Sequence, residues 1–209
     1  MLHATRRKRI HIGPEDHGRR MSLDDFDRVI ALEGHVYELG TGIVEVSEVP
    51  SLKHLAQVEE IKTQLYRYKI RNPGLINFIA SSNEAKILIA GTDSERHPDL
   101  SLYLGPPPQT DIWSLWIPQI VIEVVSESSR KRDYHEMPDE YLEFGVDEYW
   151  LVDAARKQML VHLRWRGQWK PQIIKPQKKY STRRLPGFSL DLKRVIDAAK
   201  PKSSRRNNK

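Results

Sequence analysis

The sequence contains no cysteine, so neither a disulfide nor a thiolate metal site can form. It also has no apolar run near the roughly 20 residues that a membrane-spanning helix needs. The basic start, MLHATRRKRIHIG, lacks the apolar stretch of a secretory signal. These absences predict a cytoplasmic protein without a membrane segment.

The composition is that of an ordinary globular protein, with 39% hydrophobic and 30% charged residues among 209. A chain of this length is long enough for one domain with a real core. We predict a flexible basic tail over residues 1–20, a single domain over residues 21–198 and a basic tail over residues 199–209. The net charge of +6 is compatible with a polyanionic partner. Much of the excess lies in the end segments, where solubilising tails explain it equally well.

Two helices and a hairpin are predicted in the first third of the chain. Ser22 is a suitable N-cap, and Asp24 and Asp25 favour the positive end of the helix dipole, which predicts a helix over LDDFDRVIAL. Ser51 caps the clearest helical pattern, LKHLAQVEEIKTQLYRYKI, whose apolar residues recur at helical spacing. Between them, HVYELGTGIVEVSEV predicts a β-hairpin around Gly40 to Gly42.

Short apolar segments predict the strands of a mixed sheet. They read LINFIAS, AKILIAG, DLSLYL, IVIEVV and EYWLVD, followed by a hairpin, MLVHLRW and WKPQII, that turns at Gly167. A helix around Pro138 to Phe144 ends before Gly145, whose position suits a C-terminal cap. The order of helices and strands predicts an α/β (α+β) fold with a mixed central sheet.

Two acidic residues accompany these strands. Glu123 lies inside the apolar segment IVIEVV, and Asp99 follows Pro98 at the start of DLSLYL. A buried acid is costly unless it is paired or binds a cation, and two acids on neighbouring strands provide oxygen ligands for a divalent metal such as Mg²⁺. Asp99 is also an ordinary turn residue, and Glu123 is also compatible with an outward-facing edge position or a buried ion pair.

The order of several short motifs between Leu32 and Ile196 resembles that of one bacterial family. The motifs are a YEL hairpin, a PD pair, EVVS, the strand GVDEYWLVD and the closing segment LPGFSLDL. They are similar to those of a family of putative restriction endonucleases within the PD-(D/E)XK nuclease superfamily. Each motif is short, but their shared order and spacing are fairly specific.

The resemblance implies a restriction endonuclease-like fold, which is a mixed central β-sheet flanked by helices. It also implies that the protein hydrolyses DNA. By carry-over, Asp99 and Glu123 hold Mg²⁺ (or Mn²⁺), and the carbonyl of Val124 is an extra ligand. The ion lowers the pKa of a water that attacks phosphorus, and it offsets charge in the transition state. Glu38 and His54 fall where the family's upstream elements lie and are accessory candidates. DNA is the implied partner, and a homodimer is a further implication.

The lysine that completes the superfamily motif is missing. Its standard position, two residues after the second acid, is Val125, and the position that this family often uses is Met137. Lys131 is our candidate replacement, and Arg130 and Arg132 in the same segment are alternatives. A lysine orients the nucleophile and stabilises negative charge, whereas an arginine, which stays protonated, performs only the second task.

Three function hypotheses follow from these features. The first is a metal-dependent endodeoxyribonuclease, and the second is an inactive nuclease fold that binds DNA or assembles with other proteins. The third is a protein-interaction subunit that uses Trp113 and Trp116, because aromatic residues are enriched at interfaces. The alternating tryptophans and basic residues of HLRWRGQWK are compatible with base stacking, and equally with a hairpin that buries one face.

Overall fold

The computed structural model of the protein describes residues 8–84, 86–109 and 115–200, so Trp113 and the segments 1–7 and 201–209 lie outside the described residues. The strands are β1 Ile10–Ile12, β2 Val29–Ala31, β3 His35–Gly40, β4 Ile43–Glu48, β5 Phe78–Ala80, β6 Ile87–Ile89, β7 Ser94–Arg96, β8 Leu100–Tyr103, β9 Ile120–Val124, β10 Glu148–Asp153, β11 Gln158–Trp165 and β12 Gln168–Ile174. The α-helices are α1 Leu23–Phe26, α2 Leu52–Arg71, α3 Arg130–His135, α4 Met137–Phe144 and α5 Leu192–Ala198.

The central element is a six-stranded mixed sheet with the strand order β12-β11-β10-β9-β8-β5. In this sheet β9 and β10 run parallel, and the other neighbouring strands are antiparallel. Helices α2 and α5 contribute Leu65 and Val195 to the core on one face, and α4 contributes Met137 and Tyr141 to a cluster on the other. The predicted α/β (α+β) fold with a helix-flanked mixed sheet is confirmed.

A second sheet of four strands, in the order β4-β3-β7-β6, covers part of the α4 side. Ile87 and Ile89 of β6 pack in the same cluster as α4, which joins the two sheets through apolar contacts. The hairpin of β3 and β4 is as predicted. The sequence predicts no strand at β7, because Ser94–Arg96 has no apolar residue; pairing with β6 and β3 holds it in place.

The beginning of the described chain is more ordered than the flexible tail predicted for residues 1–20. Strand β1 pairs in parallel with β2, and Ile12 packs in a cluster with Met21 and Phe26. Two isoleucines spaced two residues apart give this charge-rich segment enough apolar surface to attach to the domain. Residues 10–12 are therefore part of the fold rather than part of a tail.

The helix after Ser22 is shorter than predicted. Ser22 Oγ accepts a hydrogen bond from the Asp25 N–H at 3.2 Å, as expected of the N-cap. The helix ends at Phe26, however, and the next apolar residues leave it to form β2. Val29 and Ile30 are β-branched and favour extended backbone, and pairing with β1 satisfies their peptide groups.

The long helix α2 forms as predicted and packs against the central sheet. Ser51 Oγ accepts a hydrogen bond from the His54 N–H at 3.3 Å. Ile61 and Leu65 are fully buried on its inner face. This cap and this face fix His54 in the first turn of α2. In the described ranges, no helix is both long and apolar enough to span a membrane.

Candidate active site

Asp99 and Glu123 lie side by side at one end of the central sheet. Asp99 precedes β8, Glu123 is near the end of β9, and the antiparallel pairing of Leu100 with Ile122 aligns them. The Asp99 N–H donates to Glu123 Oε2 at 3.1 Å, and the Val124 N–H donates to Asp99 Oδ2 at 2.8 Å. The Glu123 carboxylate is thus held by the backbone of Asp99, and the Asp99 carboxylate is held by the backbone of the residue after Glu123. These two hydrogen bonds fix the two side chains next to each other.

The alternation of β9 directs Glu123 away from the main core. Ile122 and Val124 face the core on the α2 side, whereas Glu123 shares the opposite face with Val121. Glu123 is only 7% exposed, and the Tyr141 hydroxyl donates to its Oε1 at 3.1 Å. An apolar strand therefore carries a nearly buried carboxylate to the wall of a cavity.

Burial and crowding raise the pKa of Glu123 well above its ordinary value. Loss of hydration is the largest cause, followed by the negative charges of Asp99, Asp133 and Glu38. Burial likewise raises the pKa of Asp133 to about 6, although a hydrogen bond from a serine hydroxyl and the charge of Arg132 oppose the shift. Carboxylates that repel one another in this way gain stability from a cation, and such perturbed groups are typical of functional sites.

His54 supports Asp99 from the first turn of α2. Its Nε2 lies 2.8 Å from Asp99 Oδ1. Burial lowers the pKa of His54, but the hydrogen bond to Asp99 and the charges of Asp99 and Asp133 outweigh burial and leave the pKa above its ordinary value. The contact orients one oxygen of Asp99, while the other oxygen accepts a backbone N–H.

Glu38 and Arg132 form an ion pair in the wall of the same cavity. Arg132 Nη1 donates to Glu38 Oε2 at 2.6 Å, and the His97 N–H donates to Glu38 Oε1 at 2.8 Å. Burial lowers the pKa of Arg132, but the charges of Glu38 and the other nearby acids raise it above its ordinary value. Arg132 is therefore a permanent positive charge close to the acidic pair.

No sequence pattern predicts Arg96, a fully buried cation next to Glu38. Its Nη1 donates to Glu45 Oε2 at 2.7 Å, and its Nε donates to Glu140 Oε2 at 2.7 Å. These bonds tie β7 to β4 and to α4. Glu45, Arg96 and Glu140 are far apart in the sequence, so only the folded chain reveals that they are in contact.

The structure does not bring Lys131 to the acidic pair. Its side chain is 86% exposed, and its Nζ lies 3.2 Å from Glu136 Oε1. Arg130 donates to Asp153 Oδ2 at 2.5 Å and does not line the cavity either. Successive residues of a helix point about 100° apart, so α3 directs Arg132 inward and Lys131 outward. Of the three basic candidates, Arg132 is the one that lines the cavity.

Both family positions for the missing lysine are packed among apolar and aromatic groups. Met137 is 1% exposed, and its Sδ lies 3.9 Å from the hydroxyls of Tyr141 and Tyr149. Val125 is half-buried against the same cluster. These side chains fill the space that a lysine would occupy, so a positive charge near the acids can come from Arg132.

The cavity has a volume of about 840 Å³ and lies between the two sheets and α3. Its charged lining is strongly acidic, since it contains six carboxylates but a single arginine. The carboxylates are those of Glu38, Glu48, Asp99, Glu123, Glu127 and Asp133. His54, His97 and Val124 line it as well. An unaided polyanion would be repelled here, which again favours a bound cation.

The donor set fits a divalent ion that keeps much of its water. Among the described residues, no group of three or more histidine or acidic side chains is arranged to hold a metal ion. The carboxylates that the structure brings together are those of Asp99 and Glu123, and Val124 lies in the same cavity wall. One or two carboxylates completed by water is the arrangement that Mg²⁺ prefers.

The helix-flanked mixed sheet of this protein holds two hydrogen-bonded acids at one end of adjacent strands, and this arrangement is that of a restriction endonuclease-like fold. The sequence profile of the Uma2 family, described as putative restriction endonucleases, matches residues 23–193. The chain belongs to this family. The resemblance seen in the sequence motifs is thereby confirmed.

Comparison with solved structures gives the same fold. One similar structure is the crystal structure of a putative nuclease belonging to DUF820 from Anabaena variabilis, with a TM-score of 0.70 and 18% identity. The similarity covers 86% of this chain and 99% of the other. At this level of identity the comparison establishes the fold alone. A search of curated proteins finds no match to the chain.

Proposed function

We propose that this protein is an endodeoxyribonuclease that hydrolyses DNA phosphodiester bonds with Mg²⁺ or Mn²⁺. The observation that carries the proposal is the pair of Asp99 and Glu123. The Glu123 carboxylate accepts the N–H of Asp99, and the Asp99 carboxylate accepts the N–H of Val124. Membership of a nuclease family supports the reaction class. The acidic cavity explains why a cation is required before a phosphate can enter.

Asp99 and Glu123, with the Val124 carbonyl, would hold the ion. When bound, it would lower the pKa of an attacking water and offset the charge that develops on the phosphate oxygens. His54 fixes one oxygen of Asp99, and the Tyr141 hydroxyl fixes one oxygen of Glu123. These contacts set the direction of the remaining lone pairs, which is the usual role of groups behind a ligand.

Arg132 takes over one of the two tasks of the missing lysine. It is held by Glu38 in the cavity wall and stays protonated. It can therefore stabilise negative charge on the phosphate, but it cannot accept a proton from the nucleophile. Lys131 has no part in this proposal because its side chain is exposed and paired with Glu136.

Plasmid cleavage tests the proposal. Wild-type protein is incubated with supercoiled plasmid in Mg²⁺, in Mn²⁺ and in EDTA, beside Asp99→Asn, Glu123→Gln and the control Glu48→Gln. Glu48 is an exposed acid in the wall of the same cavity, so its substitution removes one charge without touching the pair. We expect metal-dependent nicking by wild type and Glu48→Gln only. Cleavage that survives both pair substitutions would overturn the proposal.

A second function is favoured by the apolar packing of Met137 and Val125. In this case the protein is a nuclease fold without activity that binds DNA or assembles with other proteins. Val125→Lys tests it, because Val125 is half-buried and precedes the exposed turn at Glu127, whereas Met137 is fully enclosed. A wild type that is inactive in every divalent ion, together with cleavage by Val125→Lys, is the expected outcome. Robust cleavage by the wild type would end this alternative.

We further propose that the protein acts on DNA in the cytoplasm and that it forms a homodimer. Trp116, a candidate anchor for protein contacts, packs on Tyr103 with ring centroids 4.4 Å apart. Much of its surface is therefore used within the chain. Light scattering at high protein concentration measures the oligomeric state, and a monomer there would contradict the dimer.

A further inference from the structure

We propose that a basic groove beside the acidic cavity binds the phosphate backbone of the DNA that the cavity cleaves. The groove has a volume of about 520 Å³. It is lined by Glu127, Arg130, Lys131, Tyr134, His135 and Arg156. The inference rests on the proposed nuclease function, since it assigns the groove to the same substrate.

The groove and the cavity are neighbours that share one residue. Glu127 lines both of them. Helix α3 lies between them, with Arg132 and Asp133 turned to the cavity and Arg130 and Lys131 turned to the groove. A strand that leaves the acidic pair past Glu127 therefore enters the basic groove directly.

A buried acid at the end of β10 organises the groove. Asp153 is fully buried, and its Oδ2 accepts hydrogen bonds from Arg130 Nη1 at 2.5 Å and from the Tyr134 hydroxyl at 3.0 Å. Its Oδ1 accepts the Arg156 N–H at 3.0 Å. Because these contacts hold the Arg130 and Tyr134 side chains and the Arg156 backbone before any ligand arrives, less conformational entropy is lost when a phosphate binds.

Lys131 and Arg156 are the exposed cations of the groove, although Arg156 Nε lies 3.8 Å from Asp153 Oδ2. Arg156 is 55% exposed, and its guanidinium lies 5.1 Å from the centre of the Tyr134 ring. Lys131 is 86% exposed, and its ion pair with Glu136 is a surface pair that contributes little. Arginine offers paired donors that match phosphate oxygens, and lysine offers a mobile point charge. The two together suit a phosphodiester backbone.

The tip of the β11–β12 hairpin is a rival surface for DNA. Trp165 is exposed there, with the Arg166 guanidinium 5.6 Å from its ring centre. The tip lies at the far end of β11 from Gln158, which pairs with Asp153 beneath the groove. An eight-residue strand puts it roughly 25 Å away from the groove. Continuity with the acidic pair favours the groove.

Equilibrium binding of a fluorescein-labelled DNA duplex, followed by anisotropy over a range of salt in Ca²⁺, tests the inference. The test variant is Lys131→Ala/Arg156→Ala, which leaves the Arg130 contact to buried Asp153 intact. The control is Arg166→Ala/Lys170→Ala at the hairpin tip, which removes the same charge. Circular dichroism melts check that each variant is folded. Lys131→Ala alone serves if the double variant does not fold.

We expect the groove variant to bind at least about tenfold more weakly at low salt, with a salt slope that is smaller by about two contacts. The single variant should lose about one contact, and the hairpin variant should match the wild type. Equal losses in the groove and hairpin variants, no loss in the groove variant, or no binding by the wild type would each overturn the inference.

The same samples separate this inference from the proposed function. Cleavage in Mg²⁺ by a wild type whose DNA binding does not depend on the groove would overturn the inference and leave the nuclease proposal standing. Groove-dependent binding without cleavage in Mg²⁺ or Mn²⁺ would show that the groove binds DNA, but it would overturn the nuclease proposal and with it the assignment of that DNA as a substrate of the cavity.

Discussion

The acidic cavity and the basic groove flank α3 and carry their charges in opposite ways. In the cavity, Glu123 and Asp133 are nearly buried, and burial raises the pKa of each. In the groove, Lys131 and Arg156 are exposed and lie at the surface. Buried charge costs stability and is characteristic of sites that perform chemistry, whereas exposed charge costs little and attracts a charged ligand.

The comparison between buried and exposed charge predicts the largest loss of stability at Arg96, the buried cation that neutralises Glu45 and Glu140. Arg96→Met keeps much of the volume but removes the cation that pairs with Glu140 and leaves Glu45 with the longer 3.4 Å contact to Arg132. Removal of one member of a buried pair destabilises a protein by about 3–5 kcal/mol. Urea unfolding followed by circular dichroism measures the loss.

An exposed pair provides the control for Arg96. Lys131→Ala breaks the contact with Glu136 at the surface, and we expect a change of about 0.5 kcal/mol or less. If the two substitutions had similar effects on the free energy of unfolding, the distinction between buried and exposed charge in this molecule would be lost.

Arg132 tests the comparison through activity rather than stability. We expect Arg132→Ala to lower the cleavage rate by about 10²–10³-fold, because a positioned donor beside developing negative charge is removed. Arg132→Lys should retain part of the rate, since it keeps the charge but not the planar donor geometry. Single-turnover rates on plasmid DNA measure both. A rate for Arg132→Ala close to that of wild type would show that another cation serves the acids.

Glu123→Gln should stabilise the folded protein in EDTA while it abolishes cleavage. Glutamine removes the charge that Asp99, Asp133 and Glu38 repel. Its amide oxygen can still accept the Asp99 N–H while its NH₂ group donates to the Tyr141 hydroxyl oxygen. We expect a gain of about 1 kcal/mol in the free energy of unfolding, a size common when a functional strain is removed. Glu48→Gln, outside the acidic pair, should change it less. A Glu123→Gln variant less stable than wild type would contradict the claim that repulsion among the neighbouring carboxylates destabilises the folded protein.

The smallest effect concerns His162, a half-buried base on β11. It lies between Tyr149 and Trp169, and its ring nitrogens have no hydrogen-bond partner among the described residues. Burial lowers its pKa below 6.5. The neutral ring is therefore favoured by folding, so stability is full above pH 6.5 and is lost as the pH falls through the folded pKa.

His162→Phe keeps the aromatic stacking and cannot be protonated. We expect its melting temperature to fall less than that of wild type between about pH 7 and pH 5. His35→Phe, at an exposed position, is the matched control and should follow the wild type. Parallel curves for His162→Phe and wild type would rule out the contribution of His162.

The sequence predicts the acidic pair because Glu123 violates an otherwise apolar strand and Asp99 opens its neighbour. It also predicts α2 and its cap at Ser51, since both depend on nearby residues. The choice of Arg132 over Lys131 is different, because it depends on where α3 begins and thus on which side of it faces the cavity. Local sequence patterns do not determine which side of α3 faces the cavity.

The buried network around Arg96 is also beyond prediction from local patterns. Glu45, Arg96 and Glu140 meet only after the second sheet has packed against α4. The ordered strand at Ile10–Ile12 has the same origin, since its partner β2 comes from a segment with helical periodicity. Contacts between distant segments decide both features, and no spacing rule in the sequence encodes them.

The central claim, that Asp99 and Glu123 form a cation site, is tested most directly by Mn²⁺ binding measured by electron paramagnetic resonance without DNA. Bound Mn²⁺ loses the signal of the free ion, so a titration counts the sites. We expect wild type and Glu48→Gln to bind Mn²⁺ and Glu123→Gln to lose a site. Equal Mn²⁺ binding by Glu123→Gln and wild type would contradict the account.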